Sequence, residues 1–230
     1  MSLNGRRIYA IIPARGGSKG IPRKNIQPFL SKPLLTHSID YALQAAEIDG
    51  IFVSTDDSEI LQVSEQAGAE VIHRPIELSG DKATTESAVD HALTTWASTH
   101  ELPDIIVLLQ ATSPYRPSGS LAIALEKFDT GQYDSLLSIS PTHRFFWRVQ
   151  GDEVRAEYDY LNRPRRQDMK PEDIRYVENG SLYIFTRAHF EASGNRLGGR
   201  IGDIVFDEEY SLEIDSWTDL KLLEEIATML

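Results

Sequence analysis

The sequence contains no cysteine. Disulfides and thiolate-bound metals are therefore excluded, and a reducing, cytoplasmic setting is expected. No apolar run approaches the length needed to cross a bilayer, and the first residues lack the pattern of a secretory signal. Residues 1–5, MSLNG, read as a disordered start. Acidic residues are missing from the first 39 positions, which hold seven Lys/Arg, although the chain as a whole carries a formal charge of −12. The overall charge argues against a general nucleic-acid binder, which depends on phosphate neutralisation. A basic stretch inside an acidic protein points to a local anion site; a solvated basic face is the plainer reading.

What is present alternates between strand and helix. Strands are predicted at Arg7–Ile12, Gly50–Thr55, Ala69–Arg74, Asp104–Gln110 and Ser135–Ser140. Helices are predicted at Pro33–Glu47, Asp57–Ala67 (capped by Asp56 or Asp57), Thr84–Thr99 and Pro117–Phe128. Fully apolar strands between helices predict a single α/β domain over residues 6–230, with a mostly parallel sheet covered on both faces. Ligands collect beyond the carboxyl ends of such strands, so the loops at 13–25, 54–57, 74–87 and 110–116 should share one rim. The pattern breaks over 141–178, a stretch with eight Lys/Arg, Phe145, Phe146 and Trp147. It reads as an inserted arm, since a long irregular excursion is usually functional or a partner contact. Strands are then expected at Ser181–Thr186, Gly202–Phe206 and Tyr210–Ile214, with a closing helix Ser216–Leu230.

The first loop reads Ala14-Arg15-Gly16-Gly17-Ser18-Lys19-Gly20, followed by Arg23-Lys24-Asn25. Glycines such as Gly16 and Gly17 let backbone N–H groups turn into a concave anion nest, and the cations neutralise what it holds. The spacing matches neither a P-loop nor a dinucleotide fingerprint, and a flexible glycine turn with solvated cations has the same composition. Further on, Glu213 and Asp215 stand two apart at a predicted strand end. That spacing puts both carboxylates on one face, where hard oxygen ligands suit Mg²⁺. Asp215 alone is also a plausible cap for the closing helix. Asn179-Gly180 reads as a hairpin turn. The six histidines show no metal spacing, and no hydrolytic triad is supported.

Four segments, "IIPARGGSKGIPRKN", "VIHRPIELSGDKATTES", "LLQATSPYR" and "ENGSLYIF" followed by "SLEIDSWTDL", resemble in order the motifs of the CMP-sialic acid synthetases (acylneuraminate cytidylyltransferases). The likeness covers nearly the whole chain. A sister family that activates an eight-carbon acid has a different, Ser/Arg-rich first loop. The resemblance implies a Rossmann-like nucleotide-diphosphosugar-transferase fold. It also implies Mg²⁺-dependent transfer of CMP from CTP to a nonulosonic acid, with release of pyrophosphate. It assigns Arg15 to the triphosphate, Lys24 and Asn25 to phosphate and nucleotide, and Arg74, Ala83 and Thr85 to the cytosine end. It assigns Gln110 and Asn179 to the sugar, Arg165 to its carboxylate, and Arg148 to a site completed across a homodimer. Arg15, Lys24 and Asp215 are the expected catalytic groups, with Asp215 and Glu213 as metal ligands. No side chain stands out as a general base, which leaves Asp215 or a metal-bound hydroxide. The family pattern usually has Asp where Glu213 stands, and an Arg where Val177 stands. The form "RPRRQD…ENGSLYIF" is closer to the branch that activates legionaminic and similar bacterial acids. Two other readings compete: a nucleotidyltransferase for a sugar 1-phosphate, and a non-catalytic nucleotide-binding homologue. Gln110 and Arg165 disfavour the first; intact Arg15, Lys24 and Asp215 disfavour the second.

Overall fold

A computed structural model describes residues 3–229. The apolar runs form strands β1 (Ile8–Pro13), β4 (Gly50–Thr55), β5 (Glu70–His73), β6 (Ile105–Leu109), β7 (Ser135–Thr142), β10 (Arg175–Thr186) and β11 (Ile201–Val205). Short hairpins add β2 (Pro28–Phe29) with β3 (Lys32–Pro33), and β8 (Trp147–Gln150) with β9 (Glu153–Ala156). The helices are α1 (Leu34–Leu43), α2 (Ser58–Gln66), α3 (Thr85–Thr99), α4 (Ser120–Thr130), α5 (Arg187–Ser193) and α6 (Trp217–Met229). Seven strands make one sheet in the order β11-β7-β10-β6-β1-β4-β5, and all are parallel except β10. This is the expected mostly parallel α/β architecture.

Alternation along the strands decides which helix covers which face. Ile8, Ala10 and Ile12 of β1 join Ile105, Val107 and Leu109 of β6 in a core closed by α1, α2 and α4. Tyr9, Ile11, Ile106 and Leu108 point the other way, into a core closed by α3 and α5 around Trp96. Helix α2 begins at Asp57, whose carboxylate accepts from the N–H groups of Glu59 and Ile60, and α3 begins at Thr84, which accepts from Ser87. A third, smaller core joins Ile21, Phe29 and Leu34 to Ile214, Leu220 and Leu223. It fastens α6 against the chain that follows the glycine loop.

The structure corrects several expectations. Tyr210–Ile214 is not a strand: Glu208–Tyr210 is a 3₁₀ turn, and the segment after it makes no ladder. Its alternating Tyr210, Leu212 and Ile214 pack among side chains instead. Asn179-Gly180 is not a hairpin turn. It lies inside the long β10, where pairing with β7 shifts register between Glu178 and Tyr183 and Gly180 takes φ 66°, a β-bulge. The sheet also reaches into both ends of the 141–178 range, since β7 runs to Thr142 and β10 starts at Arg175. The excursion proper is 143–174, with β8 and β9 as its own ladder. Leu3–Gly5 forms a short turn, and Leu3 packs on the core, so the expected disordered start does not hold there; residues 1 and 2 lie outside the described residues. Leu230, the end of the expected closing helix, also lies outside them. Among the described residues no helix is long and apolar enough to cross a membrane.

Candidate active site

The loops after β1, β4, β5 and β6 share one rim, as the parallel order requires. Those after β1, β5 and β6, with the segment before α6, line a cleft of ≈ 420 Å³ that includes Arg15, Lys24, Asn25, Thr85, Gln110 and Asp215. Six of the residues singled out from sequence thus converge, although they span 200 positions of chain from Arg15 to Asp215.

The glycine loop is built by close approach. A Cβ on Gly16 would come within 2.7 Å of the Asp57 carboxylate, and one on Gly20 would collide with the Asp215 carbonyl. Gly17 meets nothing within 4 Å and faces open space. The Gly16 N–H is taken by Asp56 Oδ1 at 3.0 Å, so this donor of the expected anion nest is already engaged. Asn25 is buried and its amide donates to the Arg15 carbonyl at 2.9 Å, so it braces the loop from within the cleft. Arg23 adopts φ 54°, a left-handed conformation, and its side chain bonds Asp57 at 2.8 Å. Burial raises the Asp57 carboxyl, but bonds from Ile60 N–H, Arg23 and Glu59 N–H outweigh it and hold the group below the usual carboxylate range.

The cations of the cleft are paired with this chain's own acceptors. Arg15 donates to the Gly80 carbonyl at 2.8 Å and lies 3.5 Å from Asp81, and Lys19 lies 2.7 Å from the same carboxylate. Lys24 Nζ donates to the Ile214 carbonyl at 2.9 Å and to Asp215 Oδ1 at 2.8 Å. The N-terminus of α3, with Thr85 in its first turn, adds a positive dipole end to the same cleft.

Arg74 does not line this cleft and, among the described residues, has no such acceptor. It is 7% exposed, and its Nε and Nη2 have no hydrogen-bond partner. Burial lowers its pKa, Asp56 opposes the shift, and Arg15 adds to it. A buried guanidinium with idle donors is costly without an acceptor. Its neighbour His91 is likewise lowered by burial and then by Arg74, and His91 Nδ1 is also unpartnered. Ala83 lies in the turn before α3, with its N–H on the Gly80 carbonyl at 3.0 Å.

Glu213 and Asp215 flank Ile214, which is fully buried and whose N–H donates to the Thr112 carbonyl at 2.8 Å. This fixed residue replaces the strand that sequence spacing implied, and it aims the two carboxylates differently. Asp215 is 71% exposed and lines the cleft beside Lys24. Glu213 is half-buried, set where a Cβ on Gly180 would collide with it; Gln110 Oε1 is 3.4 Å from the same point. Burial and then Asp215 raise the Glu213 carboxyl. Asp215 is not the cap of α6: Ser216 Oγ accepts from Asp219 N–H, and Asp219 takes the N–H groups of Asp215 and Ser216. Among the described residues no three His, Cys, Asp or Glu side chains gather as a cage. Asp215 at the cleft, with Glu213 set behind it against Gly180, offers hard oxygen donors of the kind that suits Mg²⁺, although the two do not face one point as their spacing suggested.

Other residues stand apart. Asn179 is 2% exposed and its amide is engaged: Oδ1 accepts from Ser138 Oγ at 2.5 Å and Ser181 N–H at 3.2 Å, and Nδ2 donates to Ser140 Oγ at 3.1 Å. It pins the bulge. Arg148 on β8 bonds Glu157 at 2.8 Å, and Arg165 bonds Asp168 at 2.5 Å; their side chains are 69% and 74% exposed. Neither lines the cleft. Both belong to the arm, where Phe145 packs on Tyr158, Trp147 packs against Tyr158 and Tyr160, and Arg163 lies 4.3 Å over the Phe145 ring. Sequence reasoning missed Arg116, buried beneath Gln110. It also missed Asp56 and Asp81, which engage the glycine loop and which only the folded proximity of separate loops reveals.

Comparison with known proteins bears on this geometry. A family model described as cytidylyltransferase matches residues 9–196. The chain is 36% identical over 225 residues to the N-acylneuraminate cytidylyltransferase of Oncorhynchus mykiss, covering 96% of this chain and 50% of that protein. It is 36% identical over 181 residues to the pseudaminic acid cytidylyltransferase of Campylobacter jejuni, covering 76% and 77%. The chain spans about half the length of the first curated relatives it matches. The solved structure of CMP:2-keto-3-deoxy-manno-octonic acid synthetase complexed with CTP superposes with a TM-score of 0.67 at 18% identity, over 97% of this chain and 99% of that one. At that identity the superposition speaks for the fold. With the cation-lined cleft on the rim of such a sheet, and with a family model and a relative that each match most of the sequence, the chain belongs to the cytidylyltransferase family.

Proposed function

We propose that this chain transfers CMP from CTP to the anomeric hydroxyl of a nine-carbon 2-keto-3-deoxy acid, a nonulosonic acid of the sialic or legionaminic type, releasing pyrophosphate. The observation that carries the reading is the convergence of Arg15, Lys24, Asn25, Gln110 and Asp215 on one cleft. Arg15 and Lys24 hold the triphosphate and stabilise the charge that develops as pyrophosphate leaves. The idle donors of buried Arg74 await the acceptor atoms of cytosine, O2 and N3, with Ala83 and Thr85 closing the base end. Gln110 orients the acid so that its hydroxyl attacks the α-phosphorus in line: the new O–P bond forms as the bond to the β-phosphate oxygen breaks, and the hydroxyl proton passes to Asp215, the carboxylate that lines the cleft. Mg²⁺, held by Asp215 with Glu213 as second carboxylate, supplies charge neutralisation at the phosphate oxygens when bound.

The reading includes a homodimer. The arm's aromatics meet in tilted and edge-on pairs, and Phe146, Trp147 and Tyr160 remain exposed, Trp147 at 48%; aromatics with Arg are the composition of an interface core. In the dimer Arg148 and Arg165 serve the acid's carboxylate in the partner's cleft. The lack of cysteine suits a reducing compartment, and we place the reaction in the cytoplasm. Steady-state pyrophosphate release, measured with each nucleoside triphosphate against a panel of nonulosonic acids, tests the reading. CTP with one acid of the panel turns over; equal rates with UTP or ATP would remove the assigned role of Arg74.

A further inference from the structure

Beneath the cleft lies a cation with no anion beside it. Arg116 ends the turn after β6 and is buried, and among the described residues no carboxylate pairs with it. Its Nη2 donates to the carbonyls of Gln110 at 2.8 Å and Ser181 at 2.9 Å, its Nε to Ser181 at 3.3 Å, and its Nη1 to Ser38 Oγ at 3.0 Å. The guanidinium lies 5.1 Å over the Tyr41 ring. Burial pulls its pKa down to about 10. Sequestering a charge this way is unfavourable, and a well-packed apolar side chain would often serve stability better. The placement of its donors indicates what the charge is retained for.

The ladder between β6 and β10 ends at the pair Leu109–Leu182. Beyond that pair the strands part, because β10 bulges at Gly180. The next carbonyls, Gln110 and Ser181, have no cross-strand ladder partner, and one planar guanidinium bonds both. The opening so held is where the Glu213 carboxylate seats against Gly180, with Gln110 Oε1 beside it. The far side of the bulge is pinned separately by Asn179.

We propose that Arg116 is a positioning residue: by bridging Gln110 and Ser181 across the open end of the β6–β10 ladder, it fixes the acceptor-binding half of the cleft. The proposal rests on the acid-binding role given to Gln110 above. Lysine keeps the charge but cannot reach two carbonyls and a hydroxyl from one plane. In Arg116→Lys the KM for the acid rises about tenfold while the KM for CTP stays within about twofold. A purely structural role would instead lower kcat with the folded fraction and leave both KM values alone; that result overturns the proposal. If Arg116→Lys fails to fold, Ser38→Ala removes the Nη1 acceptor together with the long 3.4 Å bond from Ser38 Oγ to the Gln110 carbonyl, both parts of the same bridge, and the KM for the acid alone rises about threefold; no selective rise would overturn it. Amide hydrogen exchange gives a reading that needs no turnover. Exchange at 179–182 quickens about tenfold in the variant while β1 and β4 keep their protection. Unchanged exchange at the bulge, or loosening throughout the sheet, contradicts the proposal. Should the wild type turn over no CTP with any acid, the functional reading falls, and the exchange result still decides the role of Arg116.

Discussion

The cleft and the arm use the same ingredients, arginines paired with nearby carboxylates, to opposite effect. In the cleft each group is held by something rigid. Lys24 is anchored on the Ile214 carbonyl, Asn25 on the Arg15 carbonyl, and Gly16 against Asp56 and Asp57. These supports sit at the carboxyl ends of parallel strands and in the segment that leads into α6. In the arm, Arg148 and Arg165 bond only to carboxylates of their own excursion, and β8 is exposed along its whole length. Exposed pairs of that kind contribute little to stability. The contrast teaches that the cleft is preorganised within one chain, whereas the arm has no such internal support and is the part that the proposed dimer would order.

The comparison yields measurements of decreasing size. Asp215→Ala breaks the anchored half. Turnover falls about 100-fold or more, as expected for loss of a group at the developing charge, while circular dichroism stays native because Ser216 and Asp219 still cap α6. Full activity with an unchanged Mg²⁺ optimum would show that Asp215 takes no part. The arm is tested by mixing inactive Arg15→Ala and Arg148→Ala subunits. If sites are shared, random exchange restores about a quarter of wild-type activity, since half the dimers regain one of two sites. No recovery after verified exchange would confine Arg148 to its own subunit. Asp81→Asn frees Arg15 and Lys19 from a competing carboxylate, and the KM for the triphosphate should fall about two- to fivefold, with a steeper dependence on salt because the loop gains net positive charge. A rise in KM would mean that Asp81 aids binding.

The smallest effect concerns the brace beneath the glycine loop. Asp57→Ala removes the α2 cap and should cost about 1 kcal/mol in urea unfolding at pH 7. Asp57 is held below its ordinary pKa in the fold. Its contribution is therefore complete above the ordinary carboxylate value and is lost as pH falls through the depressed one. The difference between variant and wild type should accordingly close on acidification.

Most of the sheet could be read from periodicity because buried parallel strands leave an unbroken apolar signature, as Ile105–Leu109 does. The cap of α2 was legible as Asp56 or Asp57, and Asp57 takes it; Thr84, expected inside α3, proves to be its cap. The misreadings have physical causes. Tyr210, Leu212 and Ile214 alternate like a strand because every second side chain meets apolar neighbours, and no neighbouring strand is needed for that. Asn179-Gly180 carries the same positive-φ signal in a bulge as in a hairpin. β8 and β9 escaped notice because strands exposed on both faces have no alternation to detect. At the site, contiguous motifs marked Arg15 to Asn25, but Arg116, the last residue of "LLQATSPYR", has no role that the sequence alone reveals; its burial across Gln110 and Ser181 shows it.

The central claim is that the cleft joins CTP to an unphosphorylated acid. ³¹P NMR of a single reaction, CTP plus a nonulosonic acid with Mg²⁺, tests it most directly. The account predicts a new phosphodiester resonance, at the anomeric oxygen, growing in equal amount with free pyrophosphate. Turnover only when a sugar 1-phosphate replaces the acid, with a phosphoanhydride as product, would contradict it.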